Sequence, residues 1–145
     1  MFERQPFDTR GYEQRIKGGS CFICEMIAGK SEGNHIVYQD ERAIVFLNKY
    51  PALYGYTLVA PREHREQVTG DFTVNQYLDL QRLIHRVGEA VRAETDAERV
   101  YILSLGSQQG NRHVHWHVAQ LPHGVPFEVQ PLEAVRFRNG VLKIP

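Results

Sequence analysis

Three of the chain's seven histidines stand at alternate positions in the pentapeptide His113-Val114-His115-Trp116-His117. Alternation of this kind belongs to a β-strand, because successive side chains of an extended chain point to opposite faces. His113, His115 and His117 therefore share one face, while Val114, Trp116 and Val118 share the other. The second face is core, so the segment requires a sheet that is apolar on one side and carries a titratable row on the other.

Side chains two apart on a strand are rooted roughly 6.6 Å from one another, so neighbours can converge on one ligand but three seldom grip one small ion. A lone histidine there would be read as an ordinary satisfied polar side chain; three in register point to chemistry. Two chemistries fit. A His-x-His pair supplies zinc ligands for a metal-activated water, or a neutral imidazole attacks phosphorus while its neighbours orient it and meet charge on the leaving group.

The rest of the chain supplies the sheet. HIVYQD, AIVFLNK and YTLVAPREH are three β-rich runs separated by Asp40-Glu41-Arg42 and by the Pro51–Gly55 turn, a spacing that predicts an antiparallel meander. From Thr73 to Glu94, Tyr77, Leu80, Ile84, Val87 and Val91 recur at steps of three and four, which predicts a helix buried on one side. Thr73 and Gln76 read as its capping box. VYILSL is a further strand, GSQQGN a glycine-bearing loop, and HVHWHVAQLP the last strand. Ser20 to Ala28 reads as a short helix, with Ser20 as N-cap and Gly29 as terminator. Residues 1–20 read as an irregular lead-in, and residues 123–145 carry no secure assignment. The fold class is α+β: an antiparallel sheet of about five strands, one long helix and a short N-terminal helix.

Length and charge narrow the functions. A chain of 145 residues, 42% of them hydrophobic, predicts a single domain over 1–145. Lysine plus arginine equal aspartate plus glutamate at 17 each, which gives no bulk attraction to a nucleic acid polymer or an anionic membrane. No apolar run approaches the roughly 20 residues of a membrane span, and the N-terminus lacks the apolar core of a signal peptide, so a cytoplasmic location is expected. The two cysteines, in Cys21-Phe22-Ile23-Cys24, form one close pair: half of a metal site, a redox pair, or two buried thiols.

Taken together, CFICEMIAG, VYQDERAIVFLNKYP, GYTLVAPREH, the long helix and QGNRHVHWHV resemble, in that order, the histidine triad (HIT) superfamily over most of the chain. The resemblance implies a dimer whose sheets continue across the interface. It also implies hydrolysis or nucleotidyl transfer at the α-phosphate of a nucleoside, through a covalent nucleotidyl-histidine. Carried over by position, His115 is the nucleophile, His117 contacts the phosphate near the leaving group, and Gln109 lies on the phosphate side. Asn48 holds the ribose hydroxyls, with turn chemistry as the other reading, and Phe46 or Leu47 lines an apolar slot for a purine base. Some members also carry zinc on a Cys-x-x-Cys pair, a Pro-x-x-His histidine and the first triad histidine. The matching positions are Cys21, Cys24, His64 and His113, a closed and hence structural Cys2His2 set. No organic cofactor is implied.

Departures bear on the substrate. Relatives often have histidine where this chain has Tyr56 and asparagine where it has Ser104, and the loop 106–111 looks short. Arg62, Arg65 and Arg112 could meet a longer polyphosphate, although rim arginines are commonly solvated. His35, His85 and His123 read as structural or exposed. Two other functions remain open from the residues: a hydrolase whose histidines hold a catalytic zinc, and a nucleotide-binding regulator with little turnover.

Overall fold

The computed structural model describes residues 2–18, 20–105, 112–130 and 132–144. In chain order its elements are β1 (Arg4–Gln5), α1 (Thr9–Gly18), α2 (Phe22–Ile27), β2 (Ile36–Gln39), β3 (Ala43–Leu47), β4 (Thr57–Pro61), α3 (Val74–Thr95), β5 (Arg99–Leu103), β6 (Trp116–Leu121) and β7 (Val141–Leu142), with three short 3-10 turns between β6 and β7. The main sheet is five-stranded and antiparallel in the order β2-β3-β4-β6-β5. The meander β2-β3-β4 lies as its spacing predicts. The long crossover α3 then carries the chain to the far edge, and β6 returns to fill the place between β4 and β5.

Helix α3 starts where the capping box puts it. Thr73 accepts from the Gln76 amide, and the Gln76 side chain accepts in return from the Thr73 amide. It ends at Asp96, whose left-handed backbone (φ 51°) stops the helix. Its buried stripe, Leu80, Ile84 and Val91, packs on Ala43, Val45, Val59, Val114, Trp116 and Val118. Burying a side chain such as Ile84 contributes about 1.5–3 kcal/mol, so this layer outweighs the helix's weak intrinsic propensity.

The opposite face of the sheet carries the histidines, and it is covered twice. At one end Ile23 and Met26 of α2 pack on Ile44, Phe46 and Ala60. At the other, Leu53, Tyr56 and Ala134 pack on Ala119 and Leu121. Leu58 touches both clusters. Registry places Leu58 beside His117 on one side and Phe46 on the other, so the histidine row opens between the two covers.

Three expectations need correction. Residues 1–20 are not an irregular lead-in, since β1 and α1 lie within them. β1 pairs with β7, and Phe7 packs on Phe137 (centroids 4.2 Å apart) and Tyr50 (5.2 Å), beside Tyr12. The apolar partners come from the other end of the chain, which no local periodicity reveals. The N-cap of α2 is Cys21, not Ser20: Cys21 Sγ accepts from the Cys24 amide, and Ser20 donates instead to the Glu25 carboxylate. Gly29 does end that turn, at φ 73°. The third concerns β6, which begins at Trp116, so His113 and His115 precede the paired part of the strand while keeping their alternation.

Candidate functional site

Each histidine of the row is fixed by a different partner. His113 is fully buried, and its Nε2 lies 2.7 Å from the Pro61 carbonyl oxygen. A carbonyl only accepts, so Nε2 carries the proton and Nδ1 keeps its lone pair. His115 has the opposite arrangement. Its Nδ1 lies 2.8 Å from the His113 carbonyl oxygen and must donate to it, which leaves the Nε2 lone pair free. The rings of His115 and His117 are 4.9 Å apart. His117 Nδ1 meets the Tyr56 hydroxyl at 2.7 Å, with the two rings nearly perpendicular.

Burial disfavours the charged imidazole at all three positions. It pushes His113 and His117 down to about 4 and holds His115 below its usual value. All three are neutral at pH 7, as metal ligation and nucleophilic attack both require. Ser104 donates from Oγ to the His115 carbonyl at 2.8 Å and so clamps the strand at that histidine.

The residues expected around the row are distributed unevenly. Leu47 is exposed, but Phe46 is only 2% exposed and packs in the core beneath α2, so it is not a free wall for a base. Asn48 is half-buried, and its side-chain oxygen accepts from the Tyr50 amide at 3.0 Å, the turn chemistry that was its other reading. Gln109 and the loop 106–111 lie outside the described residues. Arg62 and Arg65 are engaged by other partners: Arg62 donates to Gln39, and Arg65 donates to Glu63 and lies over the Phe72 ring. Arg112 is exposed, as are His35, His85 and His123.

Sequence reasoning did not count Tyr56, Leu58 or Ser104 among the site residues. Tyr56 carried a signal, since it follows Gly55 in the turn before β4. Gly55 has φ 76°, and a Cβ there would come 2.7 Å from Thr95 Cγ2, so glycine is required to bring Tyr56 under the sheet. Leu58 carried none, because its neighbour His117 follows only from strand registry.

Beside His113 lies a second constellation. The ligand atoms of Cys21, Cys24, His64 and His113 all fall within 4.8 Å of one another. His113 Nδ1 is 3.4 Å from Cys21 Sγ and 3.5 Å from Cys24 Sγ, and His64 Nδ1 is 3.5 Å from Cys24 Sγ. In a tetrahedral zinc site, bond lengths of about 2.3 Å to sulfur and 2.0–2.1 Å to nitrogen separate neighbouring ligands by roughly 3.5 Å. The four side chains thus fit a tetrahedral ion. Their outer partners fit too, since Pro61 holds the far nitrogen of His113 and Glu66 lies 3.4 Å from that of His64. Without a cation, burial and the neighbouring Cys21 raise the Cys24 thiol to about 11, a cost that a bound divalent ion reverses.

A HIT domain model matches residues 30–122, which run from just before β2 through β6 and include the whole histidine row. The chain belongs to the HIT family. A HIT-like protein of Saccharolobus solfataricus is 33% identical over 104 residues, covering 68% of this chain and 71% of that one. Two solved HIT structures share the fold. A hypothetical histidine triad nucleotide-binding protein from Sulfolobus tokodaii is 23% identical with a TM-score of 0.67, over 86% of this chain and 81% of that one. A zinc-bound histidine triad family protein from Mycobacterium smegmatis is 25% identical with a TM-score of 0.65, over 72% and 77%. In this HIT protein two of the four metal-binding candidates, Cys21 and Cys24, precede the matched region, as does α1, and β7 follows it. No helix among the described residues is long and apolar enough to cross a membrane.

Proposed function

We propose that this HIT protein hydrolyses or transfers a nucleoside monophosphate group, acting at the α-phosphate of a dinucleoside polyphosphate or a nucleoside phosphoramidate, with His115 as nucleophile. The observation that carries the reading is the 2.8 Å contact between His115 Nδ1 and the His113 carbonyl, because it leaves the Nε2 lone pair of a neutral ring free to attack.

In the first half-reaction His115 Nε2 forms a bond to the α-phosphorus, and the bond to the leaving group breaks with its electron pair. A phosphate leaves as its anion, and an amine takes a solvent proton. Neutral His117 donates a hydrogen bond to the bridging atom as charge develops there. In the second, water or another acceptor attacks phosphorus and loses a proton to solvent. The P–N bond breaks and His115 recovers its lone pair.

Asn48 is assigned to the ribose hydroxyls, Leu47 and Leu58 to a purine base, and Gln109 to the phosphate. Cys21, Cys24, His64 and His113 would hold a structural zinc ion, which ties α2 to the start of the catalytic strand; the zinc-bound relative supports that choice of metal. Four protein ligands leave no open position, which disfavours a catalytic zinc. A homodimer joined through the edge strand β5 is the expected assembly, supported by exposed Ile102 beside exposed Leu105. A cytoplasmic setting suits reduced cysteines.

The test is release of nucleoside monophosphate from adenosine and guanosine phosphoramidates and dinucleoside polyphosphates, by the native chain and by His115→Ala. Turnover that His115→Ala reduces at least about a thousandfold while nucleotide binding persists would support the mechanism. Turnover that survives the substitution, or that stops at once with chelator while the fold is intact, would promote the zinc-water reading; binding without turnover on every substrate would make the chain a nucleotide-binding regulator.

A further inference from the structure

Tyr56 is buried, only 5% exposed, and its hydroxyl lies against the last histidine of the row. Its hydroxyl meets His117 Nδ1 at 2.7 Å, and this is that hydroxyl's only hydrogen bond among the described residues. A buried phenol that leaves its proton unpaired loses roughly 1–3 kcal/mol. If His117 Nδ1 held the proton, it would donate to the Tyr56 oxygen and strand the phenolic hydrogen. The low-energy arrangement is therefore Tyr56 O–H donating to the Nδ1 lone pair, with the single imidazole proton on Nε2. Nε2 is the nitrogen that does not meet Tyr56.

We infer that Tyr56 is a positioning residue, which fixes His117 as the Nε2–H tautomer so that a hydrogen-bond donor faces the atom leaving phosphorus. The inference rests on the nucleotidyl-transfer reading for its catalytic consequence, but not for the tautomer itself. A phenol suits the role because its ordinary pKa lies near 10, so it stays a donor throughout the range in which a histidine at the same place would gain or lose a proton. Tyr56 also holds the ring by shape: the two rings meet at 85°, with centroids 5.6 Å apart. Its backbone is fixed independently of the hydroxyl, since its carbonyl accepts from Asn48 and its amide donates to Leu53.

The test compares the native chain with Tyr56→Phe, which keeps the ring and removes only the hydroxyl, and with Tyr56→His, which restores a polar partner. Long-range ¹H–¹⁵N correlation spectra of histidine-labelled protein at pH 7 read the tautomer, with His117→Gln used to identify the signals. The expected result is one Nε2–H species for His117 in the native chain and in Tyr56→His, and a mixture of both tautomers in Tyr56→Phe. On an adenosine phosphoramidate, kcat of Tyr56→Phe should fall about tenfold, equivalent to roughly 1.4 kcal/mol, with KM unchanged, and Tyr56→His should recover it. A native His117 protonated on Nδ1, or a His117 spectrum untouched by Tyr56→Phe, overturns the inference whatever the activity. A tautomer change in a chain that turns over no substrate would sustain the positioning role and overturn the proposed reaction instead.

Discussion

The carbonyl oxygen of His113 lies 2.8 Å from Nδ1 of His115, so the backbone of a metal-ligand candidate sets the tautomer of the candidate nucleophile. The His113 ring is itself held by the Pro61 carbonyl of β4 and by the two cysteines preceding and opening α2. The geometry of the proposed attacking nitrogen is thus anchored in β4 and in the cysteine pair at α2.

Metal content follows from that arrangement. Purified native protein should carry about one zinc per chain, and Cys24→Ala or His64→Ala should lose it. Chelation should lower the melting temperature before it lowers turnover, because a bound ion would hold α2 and the 113–115 segment in place and would take no part in the proposed reaction. A chain with no stoichiometric metal, whose melting is indifferent to chelator, would contradict the assignment.

Turnover should have an unusually acidic lower limit. Burial holds the folded His117 near 4, while an exposed histidine titrates near 6.5. Lowered pKa means the neutral form persists as pH falls, so the acid limb of kcat/KM should lie below 6.5. His115, also lowered by burial, shifts its own limb in the same direction. Stability has the same sign: the unfolded chain takes up protons below about 6.5 and the folded one does not, so urea midpoints should fall between pH 6.5 and 4. An acid limb at 6.5 would show that the row is charged more easily than its burial allows.

Ser104→Ala removes the donor to the His115 carbonyl. The expected loss is about 1 kcal/mol of stability, or roughly 4 °C in Tm, accompanied by a severalfold drop in kcat because the loosened carbonyl belongs to the proposed nucleophile itself. Ser104→Thr, which keeps a hydroxyl, should retain most of both. Equal losses in the two variants would mean that the hydrogen bond is not what matters there.

Phe137→Ala tests the clasp between the chain ends. Phe137 touches Phe7 and Tyr12, and the loss should be about 2 kcal/mol, less than for a fully buried ring because Phe137 is half-buried. Amide exchange should accelerate first in residues 2–18 and 137–144, with β3, β4 and β6 still protected. Uniform acceleration across the sheet would show that the clasp and the sheet open as one unit.

Much of this molecule follows from short-range pattern. The alternation of His113 to His117 determined a strand with one apolar face, and Val114, Trp116 and Val118 do pack under α3. The three-and-four spacing from Tyr77 to Val91, with its capping box at Thr73, determined α3 nearly to the residue. Both signals are local, since a strand alternates at two residues and a helix at 3.6. Other features depended on partners far apart in the chain. That Phe46 is core while Leu47 is exposed was decided by α2 packing over β3. That residues 2–18 are ordered was decided by β7 and Phe137, more than a hundred residues away. The meeting of Tyr56 with His117, and of Cys21 and Cys24 with His64 and His113, was likewise settled by registry and burial in the folded sheet. Periodicity states which face of an element is apolar; only the packed structure supplies what that face, or its polar opposite, will touch.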